Sequence, residues 1–160
     1  MGNEYAVFDQ NHPDLKRRAE YRSALEAWWN RLVVQASTWD LETVKHLIVL
    51  NAAGLAGMAT IMAGSKGVTP GWVGPVALFG YGLGVVSAIL NMHLAARSFD
   101  LMADEVKERI ILTHDLQADL THIFDPVKRG NRINIAGQCC GWISVILAIT
   151  GTCILGYGIM

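Results

Sequence analysis

The residues best suited to chemistry sit late in the chain. His114, Asp115, Asp119 and His122 are close in sequence, and on a helix Asp115, Asp119 and His122 would share one face at i, i+4 and i+7. Carboxylates beside imidazole can ligate a divalent metal. The same residues are also ordinary on a solvated helix surface, and the reading adopted is no metal and no cofactor. Three cysteines, Cys139, Cys140 and Cys153, fall in a charge-free stretch and lack the spacing of a disulfide framework or a CxxC site, so they read as packing residues. No GxSxG, HExxH or P-loop occurs. The glycine-rich run Gly80–Gly84 has no strand before it and reads as a helix-packing face. The expectation is a non-catalytic protein.

The elements that carry these residues follow from the charge pattern. The chain has 160 residues, a net charge of −1, and only 17% charged residues against 52% hydrophobic, with a mean hydropathy of +0.30. That balance excludes a disordered chain and a basic nucleic-acid-binding domain. Residues 47–93 hold one charge, Lys66, and residues 133–160 hold none; the remaining charges lie in 1–46 and 94–132. Within the apolar blocks, 47–64 makes a helix about 27 Å long and 72–92 one of about 31 Å, each enough to span a bilayer. A third span is read within 133–160. The fold class expected is therefore an all-α integral membrane protein, with three transmembrane helices and an amphipathic helical cytoplasmic layer.

The linker between the first two spans, Ser65–Gly71, is short and rich in turn residues, which makes 47–93 an antiparallel hairpin. Twelve of the 13 Lys and Arg lie outside it. By the positive-inside rule, the N-terminus and 94–132 are cytoplasmic, and Lys66 and the C-terminus lie on the opposite side. Trp72 and Tyr157 fit the aromatic belt there. The membrane expected is the bacterial inner membrane.

The N-terminal block, 1–46, shows Leu15, Ala19, Leu25, Trp28, Trp29, Leu32, Ala36 and Trp39 at helical spacing. This predicts an amphipathic helix over 14–45, starting after Pro13, with a candidate break at Thr38–Asp40. A second stripe runs Phe99, Met102, Val106, Ile110, Thr113, Leu116, Leu120, Ile123. One straight helix over 94–124 would end about 46 Å from the membrane, and eight extended residues recover at most about 28 Å. The segment 94–132 therefore either breaks into a hairpin near Thr113–Asp115 or lies along the membrane surface; its acidic face suits an anionic leaflet poorly, so a helical hairpin packed on the N-terminal helix is expected. Asp125–Pro126 reads as the cap and first residue of the last helix.

Inside the spans, small residues recur every four positions: Ala53 and Gly57; Gly80, Gly84 and Ala88; Gly137 and Gly141. Such faces let helix backbones approach closely, and their number implies self-association. Asn51, Asn91, Asn134 and Gln138 form a polar layer in the inner third of the bilayer, suited to interhelical hydrogen bonds or to lining a vestibule. No Asp, Glu, Lys or Arg falls within a span, which argues against a proton-coupled transporter.

The layout resembles small bacterial or phage membrane proteins with a helical cytoplasmic extension, including holin-like proteins and pore-forming defence effectors. The resemblance is one of organisation and implies a homo-oligomer that forms or gates a pore. The alternative is a membrane scaffold or accessory subunit presenting its cytoplasmic helices to a protein partner. No nucleic-acid partner is expected.

Overall fold

The structure is a computed structural model. It describes residues 13–64 and 69–159, and the side chains of all of these except 35–41 and 159. Trp39, Ala36, the Thr38–Asp40 side chains and Lys66 therefore lie outside the described groups. Among the described residues the fold is three α-helices with no strand: α1 Pro13–Ala63, α2 Val73–Leu112 and α3 Asn131–Ile159.

α1 is one unbroken helix of 51 residues, about 77 Å long. Its backbone stays helical through Thr38–Asp40, where a break was expected. The reason lies in composition: from Asp14 to Ala53 the chain contains neither Gly nor Pro, so nothing removes a hydrogen bond or frees the backbone. α2 has 40 residues and α3 has 29. α2 is the central helix, packed against both others, whereas α1 and α3 touch only sparsely.

The stretches Glu42–Ala63, Val73–Leu112 and Asn131–Gly158 are each long and apolar enough to cross a membrane. Their apolar side chains mostly face outward. Val49, Leu50, Val86, Ile146 and Ile149 are exposed, and Phe79 is 72% exposed. An outward coat of large aliphatic groups is costly in water and normal in lipid, which points to membrane integration. The interior is small and specific: Met58, Ala77 and Tyr81 form one cluster, and Val44, Leu47 and Ala88 a second.

The charged half of the bundle has its own core. Leu25, Val106 and Ile123 are buried together, with Trp28, Trp29, Leu32, Ile110 and Leu120 around them. Trp28 and Trp29 thus pack against the 99–123 stripe. Two expectations here need correction. α2 stops at Leu112, close to the expected break, but the returning arm 113–130 is a strap of turns rather than a second helix. In consequence Asp115, Asp119 and His122 are not on one helical face. The last helix also begins at Asn131 and not at Asp125–Pro126.

Physical causes for both are visible. Arg18 of α1, 8% exposed, donates from Nη1 to the Asp115 carbonyl at 2.6 Å and from Nη2 to the Leu116 and Ala118 carbonyls at 2.9 and 3.1 Å. Those carbonyls find a cation where a helix would have offered its own N–H groups. At the other end of the strap, the Lys128 and Arg129 N–H groups donate to the Glu105 carboxylate at 3.0 and 2.7 Å. Gly130 then adopts φ +81°, outside helical geometry and costly for a residue with a Cβ. Its carbonyl accepts from Ser98 Oγ at 3.0 Å and from the Asn134 N–H at 2.9 Å, starting α3.

A Cβ at Gly130 would approach within 2.5 Å of the Ser98 carbonyl oxygen. Gly130→Ala should therefore destabilise the fold by about 1–3 kcal/mol, read as a lowered unfolding midpoint in detergent. Gly71→Ala, with nothing within 4 Å of its Cβ, should leave the midpoint unchanged.

Candidate functional site

The polar residues of the apolar half divide into two sets. One set ties the helices together. Asn51 of α1 is fully buried; its Nδ2 donates to the Leu47 carbonyl at 2.9 Å and to Ser144 Oγ of α3 at 3.1 Å. Ser144 in turn donates to the Gly84 carbonyl of α2 at 2.9 Å. One amide and one hydroxyl thus join three helices. Gly84 makes room for them, since a Cβ there would overlap the Asn51 side chain. Three residues before Gly84, less than a turn along α2, Tyr81 lies between Gly54 of α1 and Gly151 of α3, where an added Cβ would overlap its ring at the first and crowd it at the second. Its hydroxyl pairs with Thr152 Oγ1 at 2.9 Å.

The second set faces a cleft. Asn91 of α2 lies against Gly137 and Gly141 of α3, where an added Cβ would come within 3.3 and 3.0 Å of the amide. Together with Gln138 it borders an opening of about 310 Å³ between α1 and α3. Asn134, half-buried, sits a turn before Gln138.

Of the small residues singled out by spacing, Gly84, Ala88, Gly137 and Gly141 are buried within the chain. Ala53 and Gly57 face outward, and neither Gly57 nor Gly80 has any atom within 4 Å of an added Cβ. Sequence reasoning missed Gly54, Tyr81, Ser144, Gly151 and Thr152. Their signal was present in the pairing of one bulky phenol with two glycines, but it crosses three helices and has no local period.

The charged half carries a second arrangement that spacing left unnoticed. Arg109 donates to Glu105 Oε1 at 2.6 Å, to the Ile123 carbonyl at 3.1 Å and to the Asp125 carbonyl. Its guanidinium lies 5.7 Å from the Trp28 ring centroid, a cation–π contact. Glu105 four residues before Arg109 is the favourable order on a helix, which is the signal that would have found it. Asp115 and Asp119 are spent on local turns, accepting from the Gln117 N–H at 3.0 Å and the Thr121 N–H at 2.9 Å. His122 pairs with Asp125 at 3.1 Å. Among the described residues, no three His, Cys, Asp or Glu side chains converge in a way that would hold a metal.

The chain matches no known family model, no curated protein sequence and no solved structure.

Two outcomes test the seam and the strap. Gly84→Ala forces a methyl into Asn51, and it should lower the unfolding midpoint more than Ser144→Ala, which loses interhelical hydrogen bonding of the order of 0.6–1.7 kcal/mol. Glu105, 12 residues beyond His93 and outside the charge-free span, has opposing influences. Burial pushes its carboxyl up, while the Arg129 N–H, the Arg109 guanidinium and the Lys128 N–H prevail and hold it below the ordinary 4.5. A carboxylate held down in the fold stabilises it above the unfolded value, and that contribution is lost as pH falls through the lowered folded value. The thermal midpoint of the native chain should therefore drop as pH falls below 4.5, and Glu105→Gln should show a lower midpoint at pH 7 and a shallower acid limb.

Proposed function

We propose that the chain is a non-catalytic, homo-oligomeric membrane protein that forms or gates a pore between its copies. The observation that carries this reading is the division of its small residues. One bundle fills its own interior with Asn51, Met58, Tyr81 and Ser144, so a water path has to run between copies. Ala53, Gly57 and Gly80 remain outside that interior as small, open surface, the kind of face on which helices from different chains approach closely in lipid. The charge distribution supports an orientation with the N-terminus and the strap in the cytoplasm and the C-terminus across the membrane, in a bacterial inner membrane.

Particle mass in detergent and dye leakage from liposomes test this together. Wild-type protein should form a discrete oligomer and release dye. Gly57→Leu and Gly80→Leu should yield helical monomers that release none. A monomeric wild-type protein with tight liposomes overturns the reading.

A specific observation favours a scaffold as the second reading. Ile111, Leu112, Leu116 and Phe124 of the charged half are each exposed, and Leu112 lies about 30 Å along α2 from Met92. Lipid does not cover groups so placed on a helix leaving the bilayer, and a protein partner would. A stoichiometric partner that copurifies from native membranes and is lost in Leu116→Asp supports the scaffold over the pore.

A further inference from the structure

The cleft between α1 and α3 has a composition that names its occupant. Thr43 and Leu47 of α1 form one wall, Gln138, Trp142 and Val145 of α3 form the other, and Asn91 of α2 lies at its floor. Its volume of about 310 Å³ falls at the lower end of ordinary ligand clefts, roughly 300–1,000 Å³. It exists because α1 and α3 both pack on α2 and only sparsely on each other.

Three features narrow what fills it. The Thr43 hydroxyl and the Asn91 and Gln138 amides all border the cleft, and none of the three side chains makes a hydrogen bond to another described group. Asn51, by contrast, belongs to the same layer and is bonded across to α3. Polar groups left unpaired beside lipid are costly, so these three require a partner from outside the chain. A second feature is charge: among the described residues, no Asp, Glu, Lys or Arg lines the cleft. The third is depth. Gln138 follows Arg132 by six residues and Asn91 precedes Arg97 by six, about 9 Å along each helix. The interfacial layer of a bilayer is roughly 5–8 Å thick on each side. The amides thus lie just beneath the headgroups.

We infer that this cleft binds one glycerophospholipid of the surrounding leaflet, holding its ester carbonyls with Thr43, Asn91 and Gln138 and an acyl chain along Leu47, Trp142 and Val145. Ester carbonyls accept hydrogen bonds and donate none, which matches a cleft offering a hydroxyl and two amide NH₂ groups. They sit at this depth in a bilayer and are joined to a chain as apolar as the walls. A helix from a second copy fits less well, because its carbonyls already bond its own N–H groups. With no charge on the described lining, recognition is indifferent to the headgroup.

The inference rests on membrane insertion of the three spans and is independent of self-association. A monomer that leaks no dye yet keeps its lipid removes the pore and leaves this site standing. The test is native mass spectrometry of the full chain after reconstitution in nanodiscs and detergent washing. Wild-type protein should retain one phospholipid per protomer, equally from phosphatidylethanolamine, phosphatidylglycerol and phosphatidylcholine nanodiscs. Thr43→Val combined with Gln138→Leu should lower that occupancy about tenfold, the equivalent of losing one or two ordinary hydrogen bonds. Circular dichroism checks that the double variant folds; if it does not, Gln138→Leu alone is read and should show a partial loss. Wild-type protein without retained lipid, retention unchanged in the folded variant, or strong dependence on headgroup charge each overturns the inference. So does a lipid-free two-copy particle that the same substitutions dissociate, which would assign the cleft to a second copy.

Discussion

A polar group placed among apolar helices needs its partners inside the protein, and the Asn51 Nδ2 finds two, the Leu47 carbonyl of its own helix and the Ser144 hydroxyl of α3, while its buried Oδ1 has none among the described residues. Its contact with Ser144, and the contact of Ser144 with the Gly84 carbonyl, fix the depth at which α1, α2 and α3 stand relative to one another. Sliding α1 or α3 by a turn would strand the Asn51 NH₂ group, and sliding α2 would strand the Ser144 hydroxyl. The glycines follow from the same constraint. Gly84 is bare because Asn51 lies over it, and Gly54 and Gly151 are bare because Tyr81 occupies the space between them. The chain's glycine content is in this part a record of where larger side chains have to pass.

The charged half solves the same accounting problem with different groups. The strap 113–130 abandons helical hydrogen bonding, so its carbonyls and N–H groups need other partners. Arg18 and Arg109 supply cations to the carbonyls, and Glu105 supplies a carboxylate to two N–H groups. The strap is thereby written into side chains on α1 and α2, and its length is what brings Gly130 back beside Ser98, far below the end of α2. This return lets α3 begin at the level where the apolar sequence resumes.

Much of this was legible in the sequence where one helix speaks for itself. The charge blocks gave the three apolar helices, and the helical stripe around Leu25 and Val106 gave the packing of α1 on the charged part of α2. The reach argument, which set the height of a straight helix against the chain available to return, placed the end of α2 within a few residues. What stayed hidden depends on partners distant in sequence. The strap carries Leu120 and Ile123 in a pattern that continues the stripe of α2, so periodicity alone could not distinguish a helix from turns pinned by Arg18. Asp125–Pro126 has the composition of a helix start, but Glu105 holds the next N–H groups and Gly130 delays the helix. The amides Asn51 and Asn91 look alike in sequence; only the position of α3 makes one a bonded crosspiece and leaves the other open to the cleft.

The unbroken backbone of α1 has a mechanical consequence. With no Gly or Pro between Asp14 and Ala53, it is a stiff rod over that stretch, held in the charged half at Arg18 and Leu25 and in the apolar half at Asn51. About 50 Å of unbroken helix separates Arg18 from Asn51. A displacement imposed on one end is carried to the other as a tilt or shift of the whole rod, with no hinge between them to absorb it.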